Sequence, residues 1–290
     1  MMRTLGILFS LSLLLFFSFR FKQETKGMAE MEFGEALNNN LIQTEVVSTG
    51  GLQDSNLILK ITPLAGCPEN IHLPAGHRFI ATDSSHQDLI FAGDLKIKTK
   101  GGKPLVSKIR GYCCEATDKA PRAELKYEGG FKEEGHLLQL CEFIAAGKFD
   151  PSAIQSAIWS ISNDHQIAGV IGKDAGSTDS LRRFLAKLKN IEIPWYYLSY
   201  LPGGEIPFSG KAEFITGSLS YYLKNNAVVS INVRNAQGKI MKGLVQSVGQ
   251  GPGEQNFQLK VRVEGWPKGR YYVGIYIDGG ILLAKHSFDI

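Results

Sequence analysis

The C-terminal third of the chain alternates short apolar segments with turn residues, and this pattern restricts it to an all-β fold. In one segment Tyr271, Val273 and Ile275 occupy every second position, which puts them on one face of a strand. Asn-, Gly- and Pro-containing turns separate such segments. The pattern predicts a small two-sheet β-sandwich. Its predicted strands are Ser218–Tyr222, Val228–Arg234, Ile240–Leu244, Phe257–Val263, Tyr271–Ile277 and Leu282–Phe288.

The preceding part of the chain mixes short strands with helices. Helical periodicity predicts helices over Glu133–Ala146 and Thr178–Lys189. Another helix starts at Pro151, with Asp150 as its N-cap. The predicted strands are Leu57–Thr62, Arg78–Thr82, Asp88–Phe91, Leu95–Lys100 and Pro104–Cys114. The expected fold class is therefore mainly β with a few helices: an N-terminal α+β domain and a C-terminal sandwich.

A length of 290 residues favours two domains. A Gly- and Pro-rich stretch at 202–210 is the predicted linker. The predicted division is a signal peptide at 1–22, a poorly ordered N-terminal extension at 23–44, a first domain at 45–201, the linker, and the sandwich at 211–290.

The N-terminus has the composition of an export signal. Arg3 precedes an apolar and serine-containing run, Leu5–Phe19, which Arg20 closes. As a helix this run would extend only about 22 Å at 1.5 Å per residue, which is short of a hydrocarbon core of roughly 30 Å. The pattern predicts a secreted or cell-surface protein. The alternative is a periplasmic protein, or one that keeps this segment as a membrane anchor.

The chain has four cysteines: Cys67, Cys113, Cys114 and Cys141. Export permits disulfides, and the sequence does not choose among the connectivities. Because a strand alternates its faces, only one of Cys113 and Cys114 is expected to point inward. That residue is either a buried thiol or a disulfide partner.

The charge is too weakly basic to indicate a nucleic-acid partner. The whole chain carries +4. Residues 208–290 contain 10 Lys and Arg against 5 Asp and Glu, which gives +5. The sandwich could therefore contact an anionic surface, although interspersed charges are also typical of an ordinary solvated surface.

The sandwich sequence resembles two kinds of known module. The resemblance rests on Gly217–Leu223, Asn235–Ile240, Trp266–Val273 and Leu283–Ile290. These segments are similar to the C-terminal sorting domains of type IX secretion cargo and to Ig-like modules of flagellar hook caps. The resemblance implies a module for secretion or surface attachment, with the secretion machinery as a partner.

Two phrases in the N-terminal half resemble the thioester domains of bacterial surface adhesins. They are Gly111-Tyr112-Cys113-Cys114-Glu115 and Ile154-Gln155-Ser156-Ala157-Ile158-Trp159. The resemblance implies that the Cys113 sulfur is acylated by the Gln155 side chain, with loss of ammonia. It also implies covalent attachment to an amine on an extracellular protein or glycan ligand. Trp159, one turn after Gln155, would shield the bond.

Other readings of the same residues remain open. Gln155 could hold a backbone group, Trp159 could be core, and Cys67, Cys114 and Cys141 are candidate disulfide partners. Cys113 with His165 could form a cysteine hydrolase. A sugar-binding platform could be formed by the aromatic residues Trp195, Tyr196, Tyr197 and Tyr200, or these rings could pack internally.

The sequence contains no motif for a metal, a phosphate group or a dinucleotide. The six histidines lack metal-ligand spacing, and no cofactor or conventional enzyme activity is expected.

Overall fold

The computed structural model describes residues 29–52 and 55–290. The predicted signal peptide lies outside these residues. In the described part, β-strands dominate and four α-helices are present, which confirms the mainly-β fold class. None of the described helices has the length and apolar character needed to cross a membrane.

The N-terminal half contains two sheets. Its strands and first helix are β1 (Glu30–Glu32), α1 (Phe33–Asn38), β2 (Ile42–Thr49), β3 (Leu57–Pro63), β4 (Asn70–Leu73), β5 (His77–Ala81), β6 (Leu89–Phe91), β7 (Leu95–Lys98), β8 (Leu105–Ile109), β9 (Gly111–Cys113) and β10 (Ala123–Lys132). Seven strands form an antiparallel sheet in the order β8-β3-β2-β10-β5-β6-β9, and the order β1-β4-β7 makes a small second sheet. One apolar core contains residues of both sheets and of α1.

The chain segment predicted as a poorly ordered extension is folded from residue 30 onward. Residues 30–44 supply β1, α1 and the start of β2. Phe33 and Ala36 have no exposed surface. Their spacing of three residues puts both on the buried side of a short helix. The polar residues around them made this helix hard to recognise in the sequence. This part of the domain assignment is corrected, and the first folded unit begins well before residue 45.

Three further helices cover the β5–β6–β9 end of the large sheet. They are α2 (Gly135–Ala145), α3 (Pro151–Ser162) and α4 (Ala175–Lys189), with a 3₁₀ turn at Ile167–Gly169. Asp150 caps α3 as predicted, because its Oδ1 accepts from the Ser152 N–H at 3.0 Å. Helix α4 starts three residues earlier than predicted because Asp174 caps it, accepting from the Ser177 N–H at 2.7 Å. These helices enclose a second apolar core.

The C-terminal part is a β-sandwich with its own core. Its strands are β11 (Tyr196–Pro202), β12 (Phe208–Leu223), β13 (Ala227–Asn235), β14 (Ile240–Gln250), β15 (Gly253–Arg262), β16 (Arg270–Ile277) and β17 (Ile281–Asp289). One sheet has the order β11-β12-β15 and the other β14-β13-β16-β17. Val273 and Ile275 are fully buried between the sheets, as the alternation predicted.

The stretch predicted as a linker is instead a hairpin within this sandwich. Strand β11 pairs with β12 in antiparallel register from Tyr196↔Gly217 to Pro202↔Phe208. The glycines and prolines at 202–207 therefore form the hairpin turn. This turn also contacts the first half, since the Ala120 N–H donates to the Glu205 carbonyl at 2.8 Å. Gly/Pro composition marks a chain reversal, but it cannot distinguish a linker from a hairpin turn.

His77 on β5 is a titratable group buried in the first core. Its side chain is fully buried between Phe33 and Phe79, with ring centroids at 4.9 and 5.0 Å. Its Nε2–H donates to the Gly129 carbonyl, and its buried Nδ1 has no partner among the described residues. Burial lowers the pKa of His77 below its ordinary value of 6.5, so the folded protein keeps it neutral.

We expect the free energy of unfolding to decrease as the pH falls below about 6.5, where the unfolded chain binds a proton that folded His77 does not. The slope from this one group is at most about 1.4 kcal/mol per pH unit. His77→Gln keeps a donor for Gly129 but does not titrate, so it should flatten the slope. Urea unfolding between pH 7.5 and 5 measures this. The control, His136→Gln at an exposed position, should keep the wild-type slope, and an equal flattening there would contradict the prediction.

Candidate functional site

Strand β9, which carries the Tyr112-Cys113 pair, is an edge strand of the seven-stranded sheet. It pairs with β6 on one side only, with Leu89 opposite Cys113 and Phe91 opposite Gly111. On its other side, no strand of the described residues pairs with the main-chain groups of Gly111 and Cys113. Buried backbone groups need partners, so this edge has to be completed by other parts of the chain.

Gln155 completes the edge at Cys113. Its Nε2 donates to the Cys113 carbonyl at 2.9 Å, and its Oε1 accepts from the Cys113 N–H at 2.9 Å. The carboxamide thus replaces the peptide group of a neighbouring strand. The two residues that the adhesin resemblance singled out, 42 positions apart, are therefore in direct contact, with the Gln155 amide on the main chain of Cys113.

Two asparagines complete the same edge on either side. Asn56 pairs with Gly111, donating to its carbonyl at 3.0 Å and accepting from its N–H at 2.7 Å. Asn163, which follows α3, accepts from the Ala116 N–H at 2.9 Å and also donates to the Cys114 carbonyl. We call Asn56, Gln155 and Asn163 the carboxamide edge.

The Cys113 thiol points into the first core, away from solvent. Cys113 has no exposed surface and belongs to the same apolar cluster as Trp159. Burial, and to a smaller extent the charge of Glu115, raises the pKa of the Cys113 thiol well above its ordinary value. The thiol is therefore protonated at neutral pH.

Cys114 faces the other side of the sheet and is also buried, which corrects the expectation that only one of the pair points inward. It lies in the helical core together with Cys141. Both faces of β9 are covered because α2, α3 and α4 pack on the second face. All four thiols are unpaired in the structure, and Cys67 is half-buried at the margin of the first core. The disulfide alternative stays a prediction.

Trp159 and His165 lie next to each other beyond Gln155. Trp159 is only 7% exposed. Its ring packs against His165 and Phe208, with centroids 6.1 and 5.8 Å away. Within the described residues no hydrogen bond joins His165 to Cys113, so the two residues of the hydrolase alternative are not assembled as a nucleophile and base.

Neither a metal site nor an aromatic platform is formed by the residues considered in the sequence. Over residues 29–52 and 55–290, no group of three or more His, Cys, Asp or Glu side chains could hold a metal ion. Tyr196 is buried in the sandwich core, and Tyr197 lies under the Arg182 guanidinium at 4.1 Å. Trp195 packs on His286. Successive residues of β11 point to opposite faces, so Tyr197 is separated from Tyr196, and Trp195 meets Tyr196 edge to face at 5.6 Å. The four rings therefore do not form one flat platform.

Sequence reasoning did not identify Asn56 and Asn163 as parts of the site. Asn56 stands 55 residues before its partner Gly111, and no local motif relates them. Asn163 had a weaker signal, because it follows the last turn of α3 and is one turn of the helix beyond Trp159. Asn163 comes eight residues after Gln155, on the same side of α3. A helix can therefore direct both carboxamides at one strand.

The carboxamide edge predicts a large effect for one buried asparagine. Asn56→Ala leaves the Gly111 N–H and carbonyl without partners in a fully buried environment. Each unsatisfied group costs about 1–3 kcal/mol, so we expect a clear fall in the free energy of unfolding, measured by urea denaturation. The matched substitution Asn225→Ala, at an exposed turn, should change it by less than about 0.5 kcal/mol. Similar effects of both substitutions would contradict the assignment.

The comparisons with known proteins identify no relative. No protein-family model matches the chain, and neither the curated proteins nor the solved structures include a significant match. The function is therefore inferred from the contacts of Cys113, Gln155 and their surroundings.

Proposed function

We propose that this chain is an exported binding or adhesion protein of the cell surface or the secreted fraction, and that it forms an internal thioester between Cys113 and Gln155. One observation carries the proposal. The Gln155 carboxamide contacts the main chain of Cys113 through two hydrogen bonds of 2.9 Å, so the acyl donor is held beside the residue whose sulfur would attack it.

The reaction needs only these two side chains. The Cys113 sulfur attacks the Gln155 carboxamide carbon, and a sulfur–carbon bond forms. The bond between that carbon and Nε2 breaks, and Nε2 leaves as ammonia with the thiol proton. No electrons are exchanged with another group. The proposal requires the sulfur to turn about the Cys113 Cα–Cβ bond from the core toward the carboxamide, which the main chain of the same residue holds in place.

The backbone contact also suits the charge that develops in this step. Attack on the carboxamide carbon places negative charge on Oε1. The Cys113 N–H already donates to that oxygen at 2.9 Å. A fixed backbone donor at a developing oxyanion lowers the barrier, as in other acyl transfers.

The surroundings favour an acyl group that persists until a ligand arrives. Cys113 and Trp159 are buried in the same apolar core, which keeps water from the sulfur side. Gln155 itself is only half-buried, so its side chain is more accessible than the Cys113 sulfur. A primary amine on an extracellular protein or glycan ligand would then displace the sulfur and leave an amide bond to Gln155.

For the C-terminal sandwich we propose a role in secretion or surface attachment. Two observations support this role. The sandwich has a core separate from the two N-terminal cores, and residues 208–290 contain 10 basic and 5 acidic residues. Such a charge favours an anionic surface or the secretion machinery as the contact.

Mass spectrometry of the mature protein tests the thioester. Acylation of the sulfur removes one ammonia, so we expect an intact mass about 17 Da below that of the sequence, and methylamine should then add about 31 Da at Gln155. Cys113→Ala should abolish both effects. Sequencing of the mature N-terminus defines the reference mass and tests export at the same time.

Cys114→Ala is the matched control, because it removes the neighbouring buried thiol and leaves Cys113 in place. We expect this variant to retain both the mass deficit and the methylamine uptake. A full sequence mass with Gln155 intact would refute the thioester, and a deficit of about 2 Da that a reductant reverses would indicate a disulfide instead. In either case Gln155 would be a structural residue of the edge.

A further inference from the structure

The outer face of the four-stranded sandwich sheet carries two basic and two aromatic side chains close together. Arg234 of β13, Tyr272 and Tyr276 of β16 and Lys285 of β17 line one cavity of about 240 Å³. These strands are neighbours in the sheet. The residues that alternate with them along the strands, such as Val273, are buried in the sandwich core, so the four side chains share the outward face. We call them the basic–aromatic patch.

Each cation of the patch lies over a tyrosine ring. The Arg234 guanidinium is 5.0 Å from the centroid of the Tyr276 ring, and the Lys285 ammonium is 3.8 Å from the centroid of the Tyr272 ring. The electrons of an aromatic face attract a cation without neutralising its charge. The two rings therefore hold both cations at the cavity, and both cations keep their full positive charge.

Neither charge of the patch is paired with a carboxylate. Over residues 29–52 and 55–290, no salt bridge includes Arg234 or Lys285. The Arg234 Nε donates to the Asn232 side-chain oxygen at 2.9 Å and its Nη1 donates to the Gly238 carbonyl at 3.3 Å, and both acceptors are neutral. The Arg234 Nη2 and the Lys285 Nζ have no hydrogen-bond partner in this part of the chain, and no Asp or Glu lines the cavity. Two charged donors are therefore available to an external anion.

The positive charge of the sandwich is concentrated on this sheet. Its two hairpins, residues 227–250 and 270–289, contain five Lys and Arg against two Asp, which gives +3 of the +5 at 208–290. Both aspartates already have partners. Asp289 pairs with Arg270 at 2.9 Å, and Asp278 accepts from the Val228 N–H at 3.0 Å. The face around the cavity is thus complementary to negative charge.

The size and polarity of the patch favour an acidic sugar over other anions. The Tyr272 and Tyr276 hydroxyls have no hydrogen-bond partner among the described residues, and each can donate and accept. A membrane surface is typically bound by clusters of about four to eight Lys and Arg side chains, and a nucleic acid by contacts to about six to ten phosphates. Two cations beside two phenol groups instead match one carboxylate on a ring that also carries hydroxyl groups.

We propose that the basic–aromatic patch binds a carboxylated sugar unit of an acidic polysaccharide. The Arg234 Nη2 and the Lys285 Nζ donate to the carboxylate, and the two tyrosine hydroxyls contact hydroxyl groups of the sugar. The inference rests on the proposed role of the sandwich in surface attachment, and it gives the anionic contact a chemical class. It uses neither Cys113 nor Gln155.

Calorimetric titration of the full-length protein with an oligomer of galacturonic acid tests the proposal. We expect saturable binding that weakens as salt rises from about 50 to about 200 mM, because salt screens the charges. A neutral malto-oligosaccharide of equal length should not bind. A dissociation constant for the oligogalacturonate above about 1 mM would overturn the proposal. Tighter binding to vesicles of phosphatidylglycerol would also overturn it, since the patch would then belong to a membrane contact.

Arg234→Gln combined with Lys285→Gln removes both charges of the patch. We expect binding of the oligogalacturonate to weaken at least about tenfold, because two charged hydrogen bonds are lost. The matched control, Lys260→Gln with Arg262→Gln, removes two charges from the other sheet, where Lys260 lies over the Phe214 ring at 5.0 Å. It should weaken binding less than about twofold, since exposed charges at a distance contribute little. An equal loss in both variants would show general charge attraction and overturn the site.

Lys285→Gln alone keeps the test available if thermal unfolding shows that the double substitution disrupts the fold. The Lys285 side chain is exposed and makes no hydrogen bond among the described residues, so its loss should weaken binding at least about threefold with the melting temperature unchanged. Cys113→Ala should bind the oligogalacturonate as tightly as the wild type. A protein that is exported and forms the thioester, but does not bind the oligogalacturonate, would contradict this inference and leave the proposed function standing.

Discussion

The pairing of carboxamide side chains with an edge strand is the interaction on which the N-terminal architecture depends. Strand β9 ends the seven-stranded sheet, and its free edge would otherwise present unsatisfied main-chain groups inside the protein. Gln155 satisfies Cys113, and Asn56 satisfies Gly111. Because Gln155 lies in α3 and Asn163 directly follows it, the same contacts that complete the sheet also fix the helical layer upon it.

Gln155 therefore has a structural role at the same position where we propose that it forms a thioester. The two roles are compatible, since both need the carboxamide held next to Cys113. Before reaction the contact is two hydrogen bonds of 2.9 Å, and a thioester would replace them with a covalent bond between the same two residues. The burial that raises the pKa of the Cys113 thiol also excludes water, which is the condition for an activated acyl group to survive.

The two halves of the chain are joined by hydrogen bonds as well as by the continuous main chain. Strand β11 leaves the helical layer and becomes a strand of the sandwich, and Arg182 of α4 fixes its start by donating to the Pro194 and Tyr196 carbonyls at 2.6 and 2.8 Å. The turn between β11 and β12 contacts the first half through Ala120. The contacts of Phe208 with Trp159 and His165 exist only because these parts pack together, so neither half would form them alone.

The sequence by itself determined the elements whose patterns are local. The alternation of Tyr271, Val273 and Ile275 specified a buried strand face, and Asp150 with Pro151 specified where α3 begins, because both signals depend on residues within a turn or two. The sequence also selected Cys113 and Gln155 as a pair, through a resemblance and not through spacing. Tertiary structure alone decided that 202–207 is a hairpin turn, that Asn56 completes the edge at Gly111, and that Phe208 packs against Trp159 and His165. Those outcomes depend on which distant segments pack together. Contacts between residues far apart in the chain produce no periodic pattern in the sequence, so they could not be predicted from it.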